Sequence, residues 1–541
     1  MLRRLRQMAA ARLPALRPGR FGWGAAQLSL ASLASRAIGF VYSAAVVRLA
    51  GPEAIGLFRL AWPLYSTAFT VATAGVPYAM AKLLAEQRSD SREGAATSRR
   101  VALQGFALLG LTSLTIGALL NWAAPWLVGQ VGGEPRAASI LQVMAPALPL
   151  ACLAAGARAV FESSRRMGIP ASSLLAEQLA LSVSALLLVT HVTRQAADPA
   201  WVARGLAMAS VLGEAVGLLV LAFALDRLWR QWRRAEGRAP GAAVHARRWR
   251  HWWPRSIVAL ALPVTTGRIL SSVGGSLATL LLPNRLLQAG LTASEAAAQV
   301  GLLRGVALPL VLMPNMLSLA LMTTLVPSIS AALARGDRGT AQAYSDKAMA
   351  TTVLFALPAG AAFLGLPELW TRVLYGEESA AALLVICTLG APFAYLGQTL
   401  VGVLRGLGRP EIPVRSHLVG LAVETGLIWV WVAQPHLGIR GAAYATVLGY
   451  AVAYAVNQYG ALREIGTTLR AADFVLPVVG AAAAAASARA VAATVLALLA
   501  AGATAPGWLV EAIALLVGLA VLAGVYGVAL RASPVWRWLS A

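Results

Sequence analysis

Stretches of roughly 20 or more mostly apolar residues recur along the chain, each long enough to cross the hydrocarbon of a bilayer. Fourteen can be counted between about residue 23 and about residue 530, joined mostly by short polar links. Only helices and closed barrels satisfy their backbone groups inside lipid, and helices do so within one segment. The chain therefore reads as an all-α polytopic membrane protein of about 14 transmembrane helices. The composition agrees, with 58% hydrophobic and only 12% charged residues in 541.

A net charge of +23 in a soluble chain would point to nucleic acid. Here it fits loops facing anionic lipid, and no nucleic-acid partner is expected. Nearly all the cations are Arg, with Lys only at Lys82 and Lys347. Cys152 and Cys387 both fall in apolar runs, so neither a disulfide framework nor a metal site is expected. The first apolar segment is too long for a signal-peptide core and is expected to stay as the first membrane helix.

The expected organisation is a basic tail (1–22), six helices (23–225), a basic linker (226–255), six more helices (256–461), and two last helices with a tail (462–541). The even-numbered links and both tails hold most of the Arg and Lys, which places both termini in the cytoplasm. Three stretches recur in the same order. Arg204–Gly213 resembles Arg440–Gly449, Val160–Pro170 resembles Val403–Pro413, and Val76-Pro77 resembles Val326-Pro327. Both copies begin on the same side, so the two six-helix units form a parallel repeat about an axis along the membrane normal.

The first helix carries an arginine in its middle, where a cation costs roughly 2.5–3.5 kcal/mol on insertion scales. Ser29, Ser32, Arg36, Gly39 and Ser43 form one polar stripe at helical spacing. Such a stripe turns to protein or to a water-filled cavity, unless the arginine snorkels or makes a structural ion pair. The repeat requires a counterpart in helix 7, and Thr265, Arg268, Ser272, Gly275 and Thr279 supply it. Helix 8 adds Arg304 between Gly301 and Gly305, followed by Pro309 and Pro314; helix 2 adds Arg59 and Pro63. Prolines of this kind bend membrane helices. Arg36, Arg268 and Arg304 are thus expected in one central cationic cavity, with Ser32, Gly39, Tyr42, Arg59, Thr265 and Ser272 as candidate lining residues. Guanidinium groups match phosphate oxygens and stay charged without water, so the cavity suits a diphosphate better than a cationic drug.

Glu177, Glu214 and Glu424 lie in apolar segments and are candidates for ion coupling or for charge balance against arginine. No catalytic residue, metal ligand or cofactor is expected, beyond a coupling cation or proton. The chain has no phosphate-binding loop for ATP, no HExxH and no GxSxG, so it is not read as an enzyme, and transport would draw on a gradient or the membrane potential.

Ser35-Arg36-Ala37-Ile38-Gly39-Phe40, Val47-Arg48-Leu49-Ala50-Gly51 and Gly56-Leu57-Phe58 resemble the first-helix signature of the oligosaccharidyl-lipid flippase branch of the MOP exporter superfamily. Gly75–Glu86, Leu262–Arg268, Leu325–Ser330, Tyr375-Gly376 and Leu437–Ala443 extend the likeness over about residues 25–465, closest to a sporulation-protein branch. The resemblance implies two six-helix lobes in a V around a central cavity, with two C-terminal helices as in the lipid II flippase subgroup. It implies alternating access for a lipid-linked glycan, with arginines of helices 1, 2 and 8 at the diphosphate; Arg36 and Arg304 match such positions. Where lipid II flippases carry a second helix-1 arginine this chain has Tyr42, and where they carry a helix-2 pair it has Thr67 and Ala68.

The expectation is a monomeric flippase of the cytoplasmic membrane for an undecaprenyl-diphosphate-linked precursor, peptidoglycan lipid II first and with a spore-cortex role in view. Its partners would be its lipid-linked glycan, the bilayer and cell-wall synthases. The alternatives are a flippase for another lipid-linked polysaccharide, a cation-coupled drug exporter of the same superfamily, and a non-transporting scaffold for wall synthases.

Overall fold

A computed structural model describes residues 20–86, 92–194, 198–236, 253–467, 471–502 and 506–533. The tail before residue 20, residues 237–252 of the basic linker and the tail after residue 533 lie outside them, as do the side chains of Ser29 and Thr265.

The described chain is helical almost throughout. The opening helical run, Arg20–Thr73, breaks at Gly51, whose φ of 76° is left-handed and precedes Pro52. The arms 20–50 (α1) and 52–73 (α2) fold back on each other, which brings Tyr42 beside Arg59. A bend at Ala74 and Gly75, both at positive φ, leads into α3 (Val76–Glu86). Then follow α4 (Arg92–Ala124), which ends in a π turn at Pro125–Val131, α5 (Arg136–Met144), α6 (Ala147–Ser163), α7 (Gly168–Thr193) and α8 (Pro199–Glu236). The second half holds α9 (Trp253–Gln288), α10 (Ala293–Gly301), a π segment (Leu302–Ala307), α11 (Leu308–Leu312), α12 (Asn315–Ala334), α13 (Arg338–Gly365), α14 (Pro367–Tyr375), α15 (Ala381–Gly406), α16 (Glu411–Trp431) and α17 (Gly438–Glu464). The last two are α18 (Val475–Gly502) and α19 (Gly507–Ala532).

Twelve runs in the described residues are long and apolar enough to cross a membrane. Residues 30–86 supply two spans, 293–312 and 315–334 are one bent span, and α9 and α16 bring the total to fourteen. Contacts with α15 show that α10, α11 and α12 run in one direction. The Tyr395 hydroxyl donates to Val311 O, Gly402 packs on Met322, and Ser330 Oγ donates to Gly406 O at 2.9 Å. Position advances along both helices together. The bend falls at Met313-Pro314, and Pro314 lacks the N–H that would continue the ladder.

Several elements differ from the sequence reading. The eighth span reaches from 293 to 334, beyond the apolar run at 297–327 that marks it in the sequence, because polar ends continue the helix past its apolar centre. The ninth ends at Gly365, and Pro367–Tyr375 forms a separate short helix after it. Helix α8 continues through Glu236, eleven residues into the expected linker, on a basic stretch with Trp229 and Trp232.

Helices α18 and α19 pack on each other, on α13 and on α14, where Ala361, Ala362, Leu366, Ala484, Ala488, Ala492 and Ala514 form a separate small-residue core. Without hydrophobic drive inside lipid, such close packing supplies the attraction. Because successive spans alternate in direction, Arg99, Arg100, Arg165, Arg166, Arg233, Arg234, Arg335, Arg338 and Arg409 share one end of the bundle, here termed the basic end.

At that end Asp337 caps α13. Its Oδ1 accepts from Thr340 N at 2.9 Å and its Oδ2 from Thr340 Oγ1 at 2.5 Å. The Thr340 hydroxyl, then its amide, holds the Asp337 carboxyl below the ordinary aspartate range. The folded form thus favours the carboxylate. The stabilisation is present above the unfolded carboxylate range and is lost as pH falls through the depressed folded value. Protection factors for amide hydrogen exchange over residues 338–342, taken against the intrinsic rate at each pH, should fall on acidification. Asp337→Asn should retain the cap and flatten that pH dependence, whereas Asp337→Ala should show low protection at every pH.

Candidate functional site

The two six-helix sets meet along α2, α9 and α10, and the contact is tightest at the end opposite the basic one. A Cβ added to Gly56 would lie 1.8 Å from Ala297 O, and one on Gly301 would lie 1.8 Å from Pro52 O. Gly305 meets Ile55 at 2.3 Å in the same sense. Only glycine permits backbones this close. Asn284 Nδ2 donates to Val131 O at 3.3 Å beside them.

Arg48 ties the first set to α14 at the same end. Its Nε donates to Leu374 O at 3.0 Å and its Nη2 to Arg372 O at 2.8 Å and to Val373 O. These carbonyls belong to the last turn of α14, where the helix dipole is negative and partners are missing. Gly376, at φ 72°, ends that helix.

Toward the membrane centre, Thr67 of α2 meets Ser272 Oγ at 2.8 Å and Ser276 Oγ at 2.7 Å, and Ser276 Oγ donates to Pro63 O at 2.8 Å. Ser272, a candidate lining residue, is therefore part of a hydroxyl seam between the sets.

A cationic group lies beside these seals. Arg59, half-buried on α2, is within electrostatic range of Tyr42, Tyr375 and Arg304. Arg304 sits inside the π segment, whose extra residue per turn re-aims its side chain. Its flanking Gly301 and Gly305 both touch α2, so the guanidinium is held at the boundary between the sets. Glu424 Oε1 is 3.9 Å from Arg304 Nη2, beyond hydrogen-bond length, and accepts from Thr446 Oγ1 at 2.9 Å. Arg304 Nε and the Tyr375 hydroxyl are buried without a hydrogen-bond partner. Arg304 thus has one carboxylate at long range, and Arg59 beside it has two phenols, Tyr42 and Tyr375, in range.

Arg36 and Arg268 are exposed and make no ion pair among the described residues. Phe40, one turn along from Arg36, meets the Tyr375 ring edge-on at 6.4 Å, so Arg36 faces the gap between the sets. It lies about 9 Å along α1 from Tyr42 toward the basic end. Arg268 lies about 6 Å from Ser272 in the same direction, just past the hydroxyl seam. The structure thus groups Arg304 with Arg59 and shows no contact joining Arg36, Arg268 and Arg304.

Among the other candidates, Ser32 is half-buried, and Gly39 backs onto Gln178 of α7, which would lie 3.4 Å from an added Cβ. Glu177 pairs with Arg158. Glu214 has a buried, unpartnered Oε2. Among the described residues, no group of three His, Cys, Asp or Glu could hold a metal.

Residues 22–333 match a family described as polysaccharide biosynthesis protein, which is more than half of the chain. The chain belongs to that family. Stage V sporulation protein B of Bacillus subtilis (strain 168) is 26% identical over 426 residues, covering 78% of this chain and 80% of that one. A structure titled lipid II flippase MurJ, inward closed conformation, shares the fold with a TM-score of 0.66 at 14% identity, covering 92% of this chain and 98% of that one. An inward-facing multidrug resistance MATE family transporter of the MOP superfamily matches with a TM-score of 0.58 at 19% identity, over 79% of this chain and 94% of its own. This polysaccharide biosynthesis family member is a multi-pass membrane protein with the fold of MOP transporters, two six-helix lobes and two further helices.

The sequence reading missed three functional features. Tyr375 appeared only within a family motif, although a Tyr-Gly pair ending a short amphipathic run marks a helix terminus. Thr67 appeared only as a departure from the family. Arg48 appeared only within the first-helix family signature, and its partners are backbone carbonyls more than 300 residues away. Arg48→Ala should weaken the closure at this end. Cysteine placed at Leu374 should then react several-fold faster with a membrane-impermeant maleimide, and Arg48→Lys should rescue only in part, because an ammonium cannot span the carbonyls as a guanidinium does. Unchanged labelling would remove the latch role.

Proposed function

We propose that this protein is a non-enzymatic flippase that carries an undecaprenyl-diphosphate-linked glycan precursor, peptidoglycan lipid II foremost, across the cytoplasmic membrane. The observation that carries the reading is the group of Arg59 and Arg304, in which Arg59 has Tyr42 and Tyr375 in range and Arg304 lies 3.9 Å from the Glu424 carboxylate. Excess guanidinium charge with an unused Nε inside a membrane protein suits a dianionic headgroup.

The positive-inside rule assigns the basic end to the cytoplasm. The glycine contact, the Arg48 latch and the hydroxyl seam then close the external side, and Arg268 and Arg36 lie on the cytoplasmic approach. The diphosphate would pass these two arginines and reach Arg59 and Arg304, while the polyprenyl tail stays in the bilayer. Its charge would compete with Glu424 for Arg304, and opening of the external seals would release the headgroup. The likeness to stage V sporulation protein B supports a role in spore envelope assembly.

Two guanidinium contacts to phosphate are each worth about 1.5–3 kcal/mol. Arg59→Ala and Arg304→Ala should therefore each lower lipid II translocation in proteoliposomes by at least about tenfold. They should also strip diphosphate lipid from the purified protein in native mass spectrometry. Arg304→Ala with Glu424→Gln separates lost binding from a stranded carboxylate, and it should remain as inactive as Arg304→Ala. Wild-type transport and lipid occupancy in Arg59→Ala and Arg304→Ala would sink the proposal.

A further inference from the structure

We propose that Glu214 is a proton-carrying site in the first helix set and that its protonation controls the α2–α9 seam through Tyr65. This goes beyond the substrate reading, and it holds for any cargo.

The site lies where α2, α6, α7 and α8 meet, away from the Arg59–Arg304 group. Helix α7 comes close to α8 at Gly213 and Gly217. A Cβ on Gly213 would lie 3.1 Å from Glu177 O, and one on Gly217 would lie 3.0 Å from Glu177 Oε2. Glu177 therefore lies across the α8 surface that carries Glu214. Its carboxylate takes Arg158 Nη2, and the same Nη2 is 3.5 Å from Ser173 Oγ, which donates to Gly217 O at 3.0 Å. Arg158 is thus committed to Glu177.

Glu214 Oε2, Arg158 Nε and the Tyr65 hydroxyl are all buried without a hydrogen-bond partner. Tyr65 is only 5% exposed, and its hydroxyl is within electrostatic range of Glu214, Glu177 and Cys152. The titratable and charged groups around Glu214 are thus Glu177 on α7, Arg158 and Cys152 on α6 and Tyr65 on α2, with Glu162 of α6 within range of Arg158. Two carboxyl groups share one guanidinium there. Only one of them can ionise without leaving an uncompensated buried charge. Arg158 is held by Glu177, so the buried Glu214 Oε2, with no cation of its own, is the place for the proton. Neither Arg158 nor the few oxygens available make a cage for a metal cation, which needs about six oxygen ligands in the cases of Ca²⁺ and Mg²⁺.

Tyr65 connects this site to the seam. It lies on α2 between Pro63, which accepts from Ser276, and Thr67, which meets Ser272 and Ser276. When Glu214 loses its proton to water, the new carboxylate becomes a strong acceptor for the Tyr65 O–H. That bond draws α2 toward α8 and away from α9, and the seam loosens. Reprotonation restores it.

The test uses the full chain in lipid nanodiscs without substrate, so a failure of the substrate reading does not affect it. Spin labels at Arg100→Cys and Arg415→Cys, one exposed site in each helix set, report the separation of the sets; Cys152 and Cys387 are buried. Raising the pH should shift the distance distribution. Glu214→Gln should hold the low-pH distribution at every pH, Glu177→Gln should produce the high-pH distribution by freeing Arg158 for Glu214, and Tyr65→Phe should abolish most of the shift. Infrared difference spectra should show a protonated-carboxyl band that Glu214→Gln removes and Tyr65→Phe retains. An unchanged band in Glu214→Gln overturns the proton site, and an unchanged pH-dependent distance shift in Glu214→Gln overturns the coupling.

Discussion

A guanidinium inside a bilayer must find a carboxylate, a backbone acceptor or water, and that constraint organises this molecule. Arg158 is paired with Glu177 within the first helix set. Arg48 is spread over three carbonyls at the end of α14. Among the described residues, Arg304 has only the long contact to Glu424, and Arg59 has phenols rather than a carboxylate nearby. Arg36 and Arg268 are exposed and make no ion pair among the described residues. The series runs from structural pairing to charge left available, and the available charge lies where the two sets meet.

That meeting depends on small side chains. The approach of Gly56 to Ala297 and of Gly301 to Pro52 leaves no room for a methyl group. Dispersion across such a contact is strong because many atoms touch, and weak directional bonds suffice to set the register. Hydroxyls do this at Thr67, Ser272 and Ser276, where a carboxylate or an arginine would have required a partner. A seam made of glycine and hydroxyl contacts has modest strength and no buried charge, which suits a surface that must separate and re-form.

Much of the fold was legible in the chain. Apolar length marked every span, and the repeat of Arg204–Gly213 in Arg440–Gly449 marked the two sets. The arginine stripes of helices 1 and 7 were also visible in the chain. Their grouping was not legible, because depth along a helix depends on where it begins, and polar ends extend α8, α10 and α12 beyond their apolar centres. The π segment that re-aims Arg304 also leaves no simple mark in composition. Gly39 shares the helical face of Arg36 in projection, yet it backs onto Gln178, because a helix in a bundle presents several faces to protein at once.

By itself, the sequence determined that this chain is a helical membrane protein of about 14 spans and which end of the bundle is basic. These follow from transfer energies and backbone hydrogen bonding, which are local properties. The tertiary structure alone decided which charges are neutralised and which remain free. Pairings such as Arg48 with residues 372–374, Thr67 with Ser276, and Arg158 with Glu177 rather than Glu214 depend on distances between helices far apart in the chain. In a low dielectric, distances of a few ångströms determine whether an arginine is structural or available to bind an anion.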